Sequence, residues 1–449
     1  MIRWLVNIVF FTVLILAACA LFFRSEIAKY RKAFLYAYGP YEFSRSIQEL
    51  SAQVDSELRT FAAPVSVESN SSGPRAAFLN RQAHNIQLAD HTQRTVTTPN
   101  NDTLYTSAVL ELSSTPVELV LPDVGDRYLS VALMDVFTDQ FAHIGPRETR
   151  GQGGVYWIVG PDDKTPTPEG VTAIRATGND VWLLARTFVA GEADLSGARD
   201  AQQGITVRPV FPDRPAKPFA NLVTEIEDSE NFIAVTNEAL ARNSTHPQSL
   251  RAKQFEALGL GRDTAPGPFA RFLWSLVTTR AEAAIKDEIN RTLWKSTAWS
   301  IPPRNIGYYG EDDRLRAAIA LIGFGALRRE DAIYYRMTKT ADGAALDGTK
   351  TYQMMIPPGV PEQAFWSIAV YEPDETGRFF FFENPTGRHS LNSKSDTLQF
   401  LDNGDLAISI GPTAPTDPDL NWMPTPDGPF AVFFRIYLPE EAAVRNDGV

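Results

Sequence analysis

Two stretches of the sequence echo one another, and the echo limits the folds open to the chain. Residues 120–135 read VLPDVGDRYLSVALMD, and residues 355–372 read MIPPGVPEQAFWSIAVYE. Both carry an apolar pair, a proline turn, then aromatic–X–Ser–apolar–Ala–apolar–X–acid. Ser130 thereby aligns with Ser367, Ala132 with Ala369 and Asp135 with Glu372. A second echo follows in each half, Ala185-Arg186-Thr187-Phe188-Val189 and Phe434-Arg435-Ile436-Tyr437-Leu438. The arginine lies 56 residues after Ser130 in the first copy and 68 after Ser367 in the second. Self-similarity of this kind implies two related units. The plainer reading is that any two apolar strands look this alike; the two readings differ in whether these serines and arginines occupy equivalent strands.

Period-2 patterning gives the units their class. Leu104, Thr106, Ala108, Leu110 and Leu112 fall on one side of a strand, with Tyr105, Ser107, Val109 and Glu111 on the other. Strands are predicted over 104–112, 117–121, 127–134, 154–159, 171–176 and 180–189, joined by Gly-, Pro- and Asp-rich connections. Residues 209–218 (PVFPDRPAKP) carry four prolines and mark a boundary. Period 3.6 then predicts helices over 219–240, 247–258, 268–293 and 314–327. Strands return over 333–338, 351–356, 364–371, 378–382, 397–401, 406–410 and 430–438. Upstream, 33–62 reads as an amphipathic helix and 74–88 as another, carrying His84, with His91 one helical repeat on. The expected fold is α+β. A membrane segment (1–32) precedes an N-terminal β-sandwich module (33–215), a helical connector (216–330) and a C-terminal β-sandwich module (331–449), both modules jelly-roll-like.

Trp4–Phe23 is an uncharged apolar run of 20 residues bounded by Arg3 and Arg24. As a helix it reaches roughly 30 Å, the hydrocarbon thickness of a bilayer. A signal anchor competes with a lipoprotein signal, since Leu16-Ala17-Ala18-Cys19 has the shape of a lipobox, and with a cleaved signal peptide. Leu21-Phe22-Phe23 continues the run past both cleavage points and favours the anchor. Arg24, Lys29, Arg31 and Lys32 would hold the body in the cytoplasm by the positive-inside rule, but long domains translocate regardless of such charge. The body is expected on the exported, periplasmic side. Cys19 is the sole cysteine, so disulfides, thiol nucleophiles and cysteine-ligated zinc are excluded from the body. A net charge of −12 argues against nucleic acid as a partner. A homo-oligomer is compatible with the sequence.

Asn100, Asn101 and Asp102 lie on a proline turn, and Asp135 and Asp139 at and after a strand end. Oxygen-rich groups of this type suit Ca²⁺ or Mg²⁺, so Asn101, Asp102, Asp135 and Asp139 are the candidate metal ligands. The alternative is that Asn and Asp here cap turns. His143 as base, Arg147 as anion stabiliser and Tyr105 as acid would form a hydrolase or lyase set if the loop after Asp135 folds over the Asn-Asn-Asp turn. Trp366, Asn384, Arg388 and His389, beside Phe379 to Phe382 and Trp422, form a further ligand-binding candidate, suited to a saccharide or carboxylate. Arg186 and Arg435 each interrupt an apolar strand and need a carboxylate or several carbonyls; a sheet arginine tying down a loop is the expected role.

Pro99-Asn100-Asn101-Asp102-Thr103-Leu104-Tyr105, Arg127-Tyr128, Asp135, Phe141 to Gly145 and Val159-Gly160-Pro161 resemble the family called domain of unknown function 1254. Glu330 to Tyr334, Asp342-Gly343, Phe365-Trp366-Ser367, Asn384-Pro385, Arg388, Asn421-Trp422, Gly428-Pro429-Phe430 and Arg435-Ile436-Tyr437 resemble its usual partner, domain of unknown function 1214. The resemblance implies two β-sandwich modules with helices between them, often in exported proteins, and no settled activity. The expected function is envelope binding of a polar small molecule or saccharide by loops at the sheet ends; metal-assisted or acid–base hydrolysis or elimination is the alternative.

Overall fold

Side chains alternate across a strand, so residues 103–111 divide between two environments. Ala108 and Leu110 enter a core shared with Val117, Leu119 and Ile158. Val109 turns the other way, into a core with Trp182, Leu184 and helical residues. The same division repeats along neighbouring strands and builds a layered molecule.

The computed structural model describes residues 2–61, 79–94, 97–293, 298–375, 377–384 and 386–445, with side chains of the first helix described over 20–49. The first module contains β1 (Gln82–Asn85), β2 (Thr103–Glu111), β3 (Val117–Leu121), β4 (Leu129–Asp135), β5 (Gln140–Ile144), β6 (Gly154–Val159), β7 (Thr172–Arg175), β8 (Asp180–Phe188) and β9 (Thr206–Pro209). The second contains β10 (Trp299–Ser300), β11 (Ala332–Met337), β12 (Tyr352–Ile356), β13 (Glu362–Pro373), β14 (Phe379–Phe380), β15 (Ser390–Asn392), β16 (Leu406–Gly411), β17 (Asn421–Pro424) and β18 (Ala431–Pro439). The helices are α1 (Ile2–Phe61), α2 (Pro146–Thr149), α3 (Leu195–Gln203), α4 (Ser229–Arg242), α5 (Pro247–Leu250), α6 (Pro268–Thr278), α7 (Ala281–Thr292), α8 (Asp313–Ile322) and α9 (Glu441–Arg445).

Each module has an inner and an outer sheet. The inner sheets run β1-β2-β8-β4-β5 and β10-β11-β18-β13-β14, with β15 also on β13; the outer sheets run β7-β6-β3-β9 and β12-β16-β17. The internal echo marks equivalent strands. Ser130 on β4 pairs across to Arg186 on β8, and Ser367 on β13 pairs across to Arg435 on β18. On the other flank Tyr105 faces Arg186 and Tyr334 faces Arg435. Both modules depart from a jelly roll, which is built antiparallel throughout, because β6–β7 and β16–β17 pair in parallel.

The two inner sheets meet face to face. Phe365 stacks on Tyr437 at 4.3 Å between ring centroids and lies 4.1 Å from Phe188 and 5.5 Å from Tyr128. Ala132, Leu327 and Ala332 complete this shared core. The rest of the first inner sheet is covered by helices. In α1, residues 36–43 are all buried, with Glu42 among them paired to Arg45, so the helix is enclosed on every side here. Tyr36, Tyr41 and Phe34 pack among Phe255 and Phe232 from the connector. Residues expected to begin the N-terminal module therefore serve the connector.

Several expectations change. The helix expected over 74–88 is not formed over its described part, 79–88, where Gln82–Asn85 is strand β1 with His84 paired to Thr106; its residues 74–78 lie outside the described residues. Residues 219–228 are not helical, 268–293 is two helices, and 397–401 forms no strand. The presumed loop after Asp135 contains β5, and α3 and β9 were not expected. The run Trp4–Phe23 lies within α1, but its side chains 4–19 lie outside the described residues. Among the described residues no helix is long and apolar enough to cross a membrane.

Phe365 is fully buried where the modules touch. Phe365→Ala is expected to cost about 3–5 kcal/mol, seen as a lower urea midpoint in the full chain. An unchanged midpoint would mean the inner sheets do not share a core.

Candidate functional site

A cavity of about 410 Å³ lies between the inner sheets, lined by β1, β2 and β8 of the first module, β11 and β18 of the second, residues 97–100 and the end of α8. Alternation explains the lining. On β8, Trp182, Leu184 and Arg186 face the cavity while Leu183 and Ala185 enter the sandwich core. On β18, Phe433, Arg435 and Tyr437 face it while Val432, Phe434 and Ile436 point inward.

Arg186 and Arg435 are buried there. The Nη2 of Arg186 donates to the Gly325 carbonyl at 2.7 Å, and the Nη2 of Arg435 to the Thr98 carbonyl at 3.1 Å. Both carbonyls belong to unusual backbone: Gly325 has φ +83° and the β-branched Thr98 has φ +50°. A non-glycine residue with such a branch is strained in that region. Thr98 is held there by its N–H, which donates to the Phe379 carbonyl at 2.7 Å. The expected role, a sheet arginine tying down a loop, is seen at both positions. What sequence reasoning missed is that the two arginines share one cavity.

The Asn-Asn-Asp turn docks onto the second module. Asn100 Nδ2 donates to the Tyr437 hydroxyl at 2.6 Å. Asp102 accepts from Ser390 Oγ at 2.8 Å and Asn392 Nδ2 at 3.1 Å. Asn101 Nδ2 donates to the Ala89 carbonyl at 2.5 Å. Burial raises the Asp102 carboxyl above its ordinary range, against the pull of Asn392 and Ser390. Of the three, Asn100 lines the cavity.

Asp135 and Asp139 lie elsewhere. Thr103 pairs with Phe188 at one end of β8, and Asp135 with Val181 at the other. Seven residues of strand separate the two ends by roughly 23 Å. Asp135 accepts from His246 Nε2 and Thr177 Oγ1, both at 2.9 Å. Asp139 accepts from Arg316 Nη2 at 3.0 Å and the Tyr309 N–H at 2.6 Å. Among the described residues no group of three or more His, Cys, Asp or Glu side chains converges to hold a metal. The expected cation site is corrected: these carboxylates fasten the connector to the sheet.

The expected acid–base set does not assemble either. His143 lies on the edge strand β5, paired with Ala132 on β4, three strands across the sheet from Tyr105 on β2. Three strand spacings put them roughly 14 Å apart or more. His143 Nδ1 lies 3.3 Å from Asp331 Oδ1, and Arg147 bonds the same carboxylate and, at 2.8 Å, the Glu330 carbonyl. Together they join the modules. Burial pushes the His143 imidazole down to about 3, although Glu148 opposes it, so it is no base near neutrality.

The third candidate group is structural. Trp366 packs in the sandwich core beside Phe434. Asn384 donates to the Arg388 carbonyl at 3.1 Å, Arg388 reaches the Trp422 carbonyl at 3.4 Å, and His389 packs against Phe381 at 4.7 Å. None of Trp366, Asn384, Arg388 and His389 lines the cavity.

In the unfolded chain His143 gains its proton near the ordinary 6.5, but in the folded chain only near 3. Stability is therefore lost as pH falls through that window, by about 2 kcal/mol between pH 7 and 5. His143→Gln should remove this portion of the acid sensitivity in urea titrations. An identical pH dependence in the variant would place the His143 proton elsewhere.

Residues 79–209 match the family model described as protein of unknown function (DUF1254), and residues 331–441 match protein of unknown function (DUF1214). No curated protein matches the chain. Among solved structures, the VPA0106 protein from Vibrio parahaemolyticus is similar in fold, with a TM-score of 0.64 and 19% identity over 92% of this chain and 96% of that one. A putative uncharacterized protein from Burkholderia cenocepacia aligns with a TM-score of 0.43 and 11% identity, over 88% and 92% of the two chains.

Proposed function

We propose that this chain, which carries DUF1254 and DUF1214 domains in series, is a membrane-anchored envelope protein that binds a small organic molecule between its two modules. The observation that carries this reading is the composition of the cavity. At about 410 Å³ it falls within the range of small-ligand sites. Its walls are mainly apolar, with Trp182, Ile319, Ile322 and Phe324, and a few polar groups converge on it from both modules. Binding is favoured over acid–base catalysis because no carboxylate lines it among the described residues. His84, the histidine present, is shifted down by burial and its Nδ1 lies 2.9 Å from Thr106 Oγ1.

The anchor is supported by the apolar run Trp4–Phe23 and by what surrounds its described end. Leu21, Phe22 and Phe23 are exposed, and beside them α6 exposes Phe269, Phe272 and Leu276. Phe23 and Phe269 lie 6.4 Å apart. A contiguous apolar patch at the base of a helix fits a lipid surface better than water. The exported side is favoured for the body because long domains translocate regardless of flanking charge.

Two measurements test the reading. The full chain should stay in the membrane pellet after an alkaline carbonate wash, and a C-terminal alkaline phosphatase fusion should be active. Native mass spectrometry of the full chain from detergent should show a bound small molecule that is lost on denaturation. Release by carbonate would remove the anchor. A ligand-free mass from native membranes, with no small molecule recovered by extraction, would remove the binding role.

A further inference from the structure

We propose that the cavity takes an organic acid with two negative charges on an apolar body, its acidic oxygens held by the guanidinium groups of Arg186 and Arg435. This rests on the reading of the cavity as a binding site and names the class of molecule bound.

Both guanidiniums are nearly inaccessible, at 6% exposure for Arg186 and 4% for Arg435. Each spends Nη2 on one carbonyl, and neither Nη1 makes a hydrogen bond of good geometry; the remaining neighbours are neutral aromatic groups, Tyr105 for Arg186, and Tyr371 and Phe433 for Arg435, with the Tyr371 side chain also bonding Arg435. Neither forms an ion pair among the described residues. Arg316 shows how this fold treats a buried arginine that needs nothing more. Its Nε donates to the Phe137 carbonyl at 2.7 Å, Nη1 to Asp313 at 2.9 Å, and Nη2 to Asp139 at 3.0 Å and the Gly310 carbonyl at 2.6 Å. A buried charge without such partners is costly unless something else supplies the counter-charge.

The rest of the cavity also asks for acceptors. No Asp or Glu is among its described lining residues. Asp102, which acts on Arg435 electrostatically, lies outside the lining and is bonded to Ser390 and Asn392. The Tyr334 hydroxyl accepts from the Leu327 N–H at 3.0 Å, and the Tyr437 hydroxyl accepts from Asn100. Each therefore keeps its own O–H to donate. Among the described residues the Tyr105 hydroxyl has no hydrogen bond, and it lines the same space. A cation would meet two guanidiniums and no acceptor able to balance them.

Register gives the number of charges. Arg186 stands between Tyr105 and Ser130 exactly as Arg435 stands between Tyr334 and Ser367. Both act on Tyr334 and Tyr437, so both fields reach the same part of the cavity. One negative charge would leave one guanidinium uncompensated; two balance the pair. Charge-assisted bonds to an Arg fork favour carboxylate or phosphate oxygens. Trp182 and Phe324, stacked at 4.9 Å, supply an apolar surface for the body of the molecule.

The test is calorimetry on the full chain in detergent. Probes are straight-chain dicarboxylates from succinate to sebacate, their dimethyl esters, the matching monocarboxylates, phenyl phosphate and sodium chloride. At least one diacid should bind one per chain, its diester should not, and its monoacid should bind about 10- to 100-fold more weakly. Arg186→Met and Arg435→Met should each weaken the diacid by a similar factor. Arg186→Lys, which keeps the charge, should bind more tightly than Arg186→Met. Without ligand, both Met variants should melt no lower than wild type, because each removes an uncompensated buried charge. Diester binding as tight as diacid binding, or chloride saturating the site equally well, would overturn the proposal while leaving a binding cavity. Tighter binding of phenyl phosphate than of every diacid would replace two separated acidic groups with one dianionic end. Failure of all acids to bind, with the Met variants melting lower, would make the arginines structural braces. A neutral molecule found by native mass spectrometry would then still support binding, and its absence would end both readings.

Discussion

A guanidinium removed from water without a counter-charge is among the least favourable groups a protein interior holds. Arg186 and Arg435 are such groups, one on the central strand of each inner sheet, with no ion pair among the described residues. Much of the surrounding architecture supplies what they lack. The connector presents the Gly325 carbonyl to Arg186, and the turn before β2 presents the Thr98 carbonyl to Arg435. Each arginine is thus partly neutralised by dipoles from a segment outside its own sheet. Both arginines line the space where the modules meet.

The polar residues around that space divide by role. Asn100 and Asp102 dock the first module's turn onto β15 and β18. His143, Arg147 and Asp331 join the opposite edge. Asp135, Asp139 and Arg316 attach the connector. These groups fix the relative position of the two sheets to the precision a shared cavity needs. Their contacts are to protein groups of the other module or the connector, and of those named here only Asn100 lines the cavity.

The sheets were legible because alternation survives burial: β3 and β6 run where the period-2 pattern placed them. The echo was legible because equivalent strands face equivalent surroundings, and register confirms it residue by residue. His84 misled because the segment before it has no decisive period, and pairing with β2 sets its conformation. β5 was hidden because its polar residues serve an inter-module contact rather than solvent. The candidate site was legible only in part. Tyr105 and Asn100 do line the cavity, but Asp102 and Asp135, near in sequence, sit at opposite ends of the sheet. The convergence of Arg186 with Arg435 depends on how two modules separated by a helical insert face one another, and no local pattern carries that.

Negative charge from outside the chain would complete the space between the twin sheets. A crystal structure of the full chain purified from its native membranes tests it most directly. Continuous non-protein density touching the guanidiniums of both Arg186 and Arg435 is expected. Density touching neither arginine, or only ordered water filling the space, would contradict it.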